Sequence, residues 1–99
     1  METFWLSYRL EDDSSYSQRY DKLIETVDAL STKWWLEPSS FIVFASAVGI
    51  DTVAAKVKAA INPRTDIAVI GMPDFKSARL IGVSHDEDIF DLIPFIKKV

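Results

Sequence analysis

No cysteine occurs in the chain, so disulfides, thiolate metal sites and cysteine nucleophiles are all excluded. Nothing in such a chain needs an oxidising compartment, and the cytoplasm is the expected location. Glycine is scarce: Gly49, Gly71 and Gly82 are too dispersed to cradle a phosphate and are read as turn or bulge positions. Long apolar runs are missing too. No stretch approaches the ~20 residues that span a bilayer, so no membrane partner is expected. The opening Met-Glu-Thr-Phe-Trp-Leu-Ser-Tyr-Arg has neither the basic segment nor the apolar run of a signal peptide. Basic clusters are equally rare, since the 11 Lys and Arg are scattered and only Lys97-Lys98 are adjacent. With a net charge of −4, broad electrostatic attraction to nucleic acid is disfavoured, although a local basic strip is not.

What is present is enough apolar residue for one core: 48% of 99 residues. One domain over residues 1–99 is expected, with its core in 3–83 and a C-terminal extension over 84–99. Phe4 to Leu10 alternates as a strand, with Phe4, Leu6, Tyr8 and Leu10 on one face and Trp5, Ser7 and Arg9 on the other. Ser15 with Gln18 predicts a capping box. Behind it, Tyr16, Tyr20, Leu23, Val27 and Leu30 recur at helical spacing, leaving Arg19, Lys22, Glu25 and Asp28 for water.

Lys33 to Ser46 predicts two short strands around a turn, Trp34-Trp35-Leu36 and Phe41 to Ala45. Pro38, Ser39 and Ser40 supply the turn chemistry. Asp51 is the expected cap of a second helix carrying Val53, Val57 and Ile61, which Asn62-Pro63 stops. Ile67 to Met72 and Ser77 to Val83 read as further strands. A short helix follows a second capping box, Ser84 with Glu87, and ends before Pro94.

This order predicts an α+β, ferredoxin-like βαββαβ fold: a four-stranded antiparallel sheet with two helices on one face, plus a fifth strand and a short C-terminal helix and tail. Phe41 to Ala45 and Ile67 to Met72 are apolar at consecutive positions, so both sheet faces need cover. The two helices roof only one. A second copy of the chain, the segment from Ile89 to Val99, or both must close the other, and a two-fold homodimer is the expected solution.

Trp-Leu-Ser-Tyr in the first strand and Trp-Leu-Glu-Pro-Ser-Ser-Phe-Ile-Val-Phe in the hairpin resemble the small CRISPR-associated endoribonuclease superfamily, most of all its stand-alone bacterial relatives. Asp66 before Ile67-Ala-Val-Ile also sits where those relatives often carry an acidic residue. The resemblance spans about residues 3 to 83 and implies a ferredoxin-like homodimer. It also implies a ribonuclease, or a non-catalytic relative acting through RNA or a cognate protein, as in a toxin–antitoxin pair. In family nucleases the first-strand Tyr is followed by an Asp whose two copies hold a divalent metal. Here Tyr8 is followed by Arg9, which cannot ligate Mg²⁺ and repels it.

The expected function is therefore a non-catalytic or weakly active homodimer that needs no cofactor. The alternatives are a Mg²⁺-dependent endoribonuclease and a purely structural dimerisation module. For the nuclease, Asp12 and Asp13, beside Glu11, are the candidate catalytic and metal-binding residues, able to orient water against a phosphodiester. The same three carboxylates also suit a solvated turn before a helix N-terminus.

Arg9, Tyr8, Ser39 and Ser40 are the candidate binding residues. Doubled by a two-fold axis, Arg9 could hold a phosphate or carboxylate, or it pairs with Glu11 or Glu37. His85, in Ser-His-Asp-Glu-Asp, cannot form a hydrolase triad from consecutive residues. A carboxylate–histidine metal site and a capped acidic helix turn remain open there. Trp34, Trp35 and Phe41 could stack on unpaired bases or pack in the core and a dimer interface.

Overall fold

The computed structural model describes residues 1–99. The chain runs β1 (Glu2–Arg9), α1 (Tyr16–Leu30), β2 (Ser31–Trp35), β3 (Phe41–Ser46), α2 (Ile50–Ala60), β4 (Ile67–Gly71), β5 (Ala78–Gly82), α3 (Asp88–Leu92) and β6 (Ile96–Lys98). It is α+β, as expected. The sheet, however, has six strands rather than four plus one, in the order β2-β3-β1-β4-β5-β6. β1 is central and antiparallel to both β3 and β4, while β6 joins the far edge parallel to β5. The sixth strand was not anticipated because Ile-Lys-Lys carries no alternation. Its pairing comes from the free edge of β5, not from its own pattern.

One face of the sheet carries the main core. Phe4 and Leu6 from β1, Ile42 and Phe44 from β3, and Ala68 and Ile70 from β4 pack beneath Leu23 and Val27 of α1 and Val53 and Val57 of α2. Phe4 and Phe44 are direct cross-strand partners, with ring centroids 5.5 Å apart. Pairs of this kind are where a sheet gains most of its side-chain stabilisation.

Local details differ from the sequence reading at the helix ends. Neither capping box forms. Ser15 makes no cap hydrogen bond and is instead bound to Asp13 and Arg19, while Ser84 donates to the carbonyl of Asp86. Gly49, not Asp51, precedes α2. Asp51 sits inside the first turn and pairs with Arg79 of β5 at 2.8 Å. The apolar stripe of α1 also divides: Leu23 and Val27 are buried, whereas Tyr16 and Tyr20 pass beyond the core and remain exposed.

The second face has two halves. Over β4, β5 and β6, the chain covers itself: Ala78, Leu80 and Ile96 are buried beneath Ile89, Phe90 and Ile93 of the C-terminal segment. Over β1, β3 and β2, no element covers Trp5, Trp35, Phe41 and Val43, and Trp35 is 49% exposed.

Candidate functional site

Four regions hold the residues singled out by the sequence. The first is an ionic knot that the sequence reading assigned to water. Arg19 lies one helical turn before Leu23 and two before Val27, so the i, i+4 rule places it on the buried stripe. Its Nε donates to Asp66 Oδ2 at 2.9 Å, its Nη1 to Asp13 Oδ1 at 2.9 Å, and its Nη2 to the carbonyl of Glu11 at 2.9 Å. Asp66, whose side chain has no exposure, also accepts the backbone N–H of Glu11 and of Asn62, each at 2.8 Å.

Burial pushes the Asp66 carboxyl up, but the two backbone donors and the guanidinium outweigh it and hold the group below the usual carboxylate range. The Arg19 guanidinium, with help from Ser15, likewise holds Asp13 low. The acidic residue at the start of β4 is thus a structural tie between the 11–15 loop, α1 and the end of α2.

That knot fixes the candidate catalytic pair. Asp13 is committed to Arg19 and Ser15, whereas Asp12 is exposed and makes no ion pair. No three His, Asp or Glu side chains converge in a way that would hold a metal ion. Asp12 and Asp13 are therefore not part of a three-ligand cluster within the chain.

The second region is a pocket of about 270 Å³ between the first turns of α1 and the β2–β3 turn. Tyr8, Tyr16, Tyr20, Leu36, Ser39 and Ser40 are among its lining. Three of the four candidate binding residues meet here. The N–H of Tyr8 donates to the carbonyl of Ser40 at 3.1 Å, locking the turn onto the end of β1. Ser40 adopts a left-handed φ of 59°, a conformation that is costly for a non-glycine residue. Tyr16 and Tyr20 lie with their rings near parallel, 6.2 Å apart. Burial, then the neighbouring phenols of Tyr20 and Tyr16, pushes the Tyr8 hydroxyl up to about 12.

Arg9, the fourth candidate, is separated from these three because strand alternation turns it to the opposite face. It is exposed and forms no ion pair, with Glu11, Glu37 or any other residue. Together with His85 and Asp86 it borders a shallow cavity of about 380 Å³. His85 is exposed, and the carboxylate of Asp86 accepts the N–H of Asp88 to start α3.

The fourth region is the uncovered half of the second face. Phe41 stacks near Trp5 at 6.5 Å and meets Trp35 edge-on at 6.5 Å. The Trp5 indole lies directly over Gly71, where any β-carbon would overlap it. A hollow of about 310 Å³, bordered by Thr3, Lys33, Trp35, Val43 and Ala45, extends the patch to the β2 edge. Trp34 also borders the hollow, but its ring packs against the main core. Charged strand positions on this half are the cations Arg9 and Lys33.

Searches against family models, curated proteins and solved structures find no match to this chain. No helix is long and apolar enough to cross a membrane.

Proposed function

We propose that this chain is a non-catalytic homodimer of ferredoxin-like descent, related to the small CRISPR-associated endoribonucleases and acting by contact rather than by cleavage. The observation that carries the reading is the divided second face. Its own C-terminal segment covers one half, and a continuous aromatic patch of Trp5, Phe41 and Trp35 occupies the other. A second copy related by a two-fold axis meets that patch with the same patch, closing both sheets at once. Aromatic residues are the side chains that dominate such interfaces. The net charge of −4 favours this occupant over a polyphosphate strand.

Descent is supported by the order of the first four strands, in which each helix links strands lying either side of a third. The non-catalytic part is supported by Arg9 at the expected metal position and by the commitment of Asp13 to Arg19.

Sedimentation equilibrium tests the dimer. The wild type is expected to behave as a two-chain particle and Trp35→Glu as a single chain with an unchanged circular dichroism spectrum. A wild type that stays monomeric at high concentration removes the proposal. Incubating the protein with RNA and Mg²⁺ tests the rest. Cleavage that disappears in Asp12→Ala would instead establish the ribonuclease. Asp12 is the right position to change, because replacing Asp13 also releases Arg19.

A further inference from the structure

The tyrosine pocket has an unusual chemical inventory for a cavity near a helix N-terminus. No acidic or basic side chain lines it. A phosphate or carboxylate finds no counter-charge there, and an ammonium group finds no carboxylate. What the pocket offers is aromatic surface, from the near-parallel rings of Tyr16 and Tyr20, beside hydroxyls on Tyr8, Ser39 and Ser40. Each hydroxyl can donate and accept, and can therefore match a ligand edge that mixes both kinds of group. The Tyr8 phenol keeps its proton throughout the neutral range, since its pKa is pushed up to about 12.

The turn that positions the serines is held in place by the Tyr8–Ser40 backbone hydrogen bond, with Ser40 in a conformation a glycine would adopt more readily. Strain of this kind is characteristic of binding loops. At about 270 Å³ the cavity falls just below the ~300–1,000 Å³ of typical small-molecule pockets, so one or two fused rings fit and a dinucleotide does not.

We propose that this pocket binds a single neutral nucleobase, stacked on the Tyr16–Tyr20 pair and hydrogen-bonded along its edge by Tyr8, Ser39 and Ser40. The base has two possible sources, a free nucleoside or an unpaired position in an RNA strand. In either case the site lies beside α1 and adjoins the Trp35 patch only through Phe41, which borders both. Loss of the dimer would leave it standing, and its own failure would leave the dimer.

Backbone amide NMR of the full chain, titrated separately with adenosine, uridine, a short single-stranded RNA and choline, tests the assignment. Saturable shifts at Tyr20, Ser39 and Ser40 with a nucleoside are expected, and shifts there with the RNA alone assign the base to a strand. Tyr20→Ala, at an exposed position, should weaken binding about tenfold or more while the spectrum stays dispersed. Ser40→Gly relieves the turn yet removes a hydroxyl, and is expected to weaken binding severalfold without loss of stability. The proposal is overturned by an absence of saturable shifts with every nucleoside and RNA, by shifts confined to Trp5, Trp35 and Val43, or by tighter binding of choline at the same residues.

Discussion

Asp66 is an ionised side chain shut away from water, and its cost is met only because five donors converge on its two oxygens: two backbone N–H groups, two guanidinium nitrogens of Arg19 and the hydroxyl of Thr65. Removing one member of such a pair strands the other. Asp66→Ala should therefore destabilise the fold by about 3–5 kcal/mol, read from urea midpoints, and Arg19→Ala should shift the midpoint in the same direction. Since the folded carboxyl lies below the unfolded value of roughly 3.9, its contribution is complete above that value. It is lost as pH falls through the depressed folded pKa. Wild-type stability should drop with acid in this range, and Asp66→Asn should flatten the drop.

Tyr8 acts in the opposite direction. Its stabilising influence is present below roughly pH 10, the ordinary phenol value, and fades as pH rises toward about 12, which ultraviolet titration of the tyrosines can follow. Two glycines separate fold from surface. Gly82, at φ +92°, has the carbonyl of Asp66 where a β-carbon would go, so Gly82→Ala should cost more than ~1 kcal/mol of stability. Gly71→Ala should instead displace the Trp5 ring and weaken the proposed dimer more than the fold, measured by sedimentation beside thermal melting.

Among elements, the C-terminal segment is the least secure. α3 has five residues, none of them buried, and β6 has three, of which only Ile96 is buried. Both are held by contact with Ala78 and Leu80 rather than by intrinsic preference. Ile96→Ala should cost about 2–5 kcal/mol if the cavity does not collapse. Hydrogen exchange should show α3 and β6 opening well before β1, whose two neighbours pair along most of its length.

The sequence was informative in proportion to how local each signal was. The Leu23–Val27 stripe and the double-sided strands were legible because periodicity is written into adjacent residues. The β6 pairing was not, because it depends on which edge the chain meets after Pro94. Arg19 was a missed signal: its spacing to Leu23 and Val27 marked it for burial, yet its charge suggested water. Only the position of Asp66 across the fold shows how that charge is satisfied.

At the scale of the whole molecule, the question is how a sheet apolar on both faces is closed. Self-coverage by α3 and β6 answers it for β4 to β6, and the aromatic patch over β1 to β3 is left uncovered, the surface proposed to meet a second copy. If pairing is coupled to stability, the melting temperature should rise with protein concentration in the wild type and be flat in Trp35→Glu. A flat wild-type profile would argue that the patch is closed by something other than this chain.

By itself, the sequence determined the order of the first five strands and the three helices, the absence of disulfides and thiolate sites, and the need to cover two sheet faces, because each follows from composition or short-range periodicity. It could not apportion that cover or gather the side chains. Tertiary structure put Tyr8, Ser39 and Ser40 in one pocket and turned Arg9 away from them. It also committed Asp13 to Arg19 and set the boundary between the covered and open halves. Those outcomes depend on strand order and on where the chain returns, which are long-range facts that no local pattern encodes.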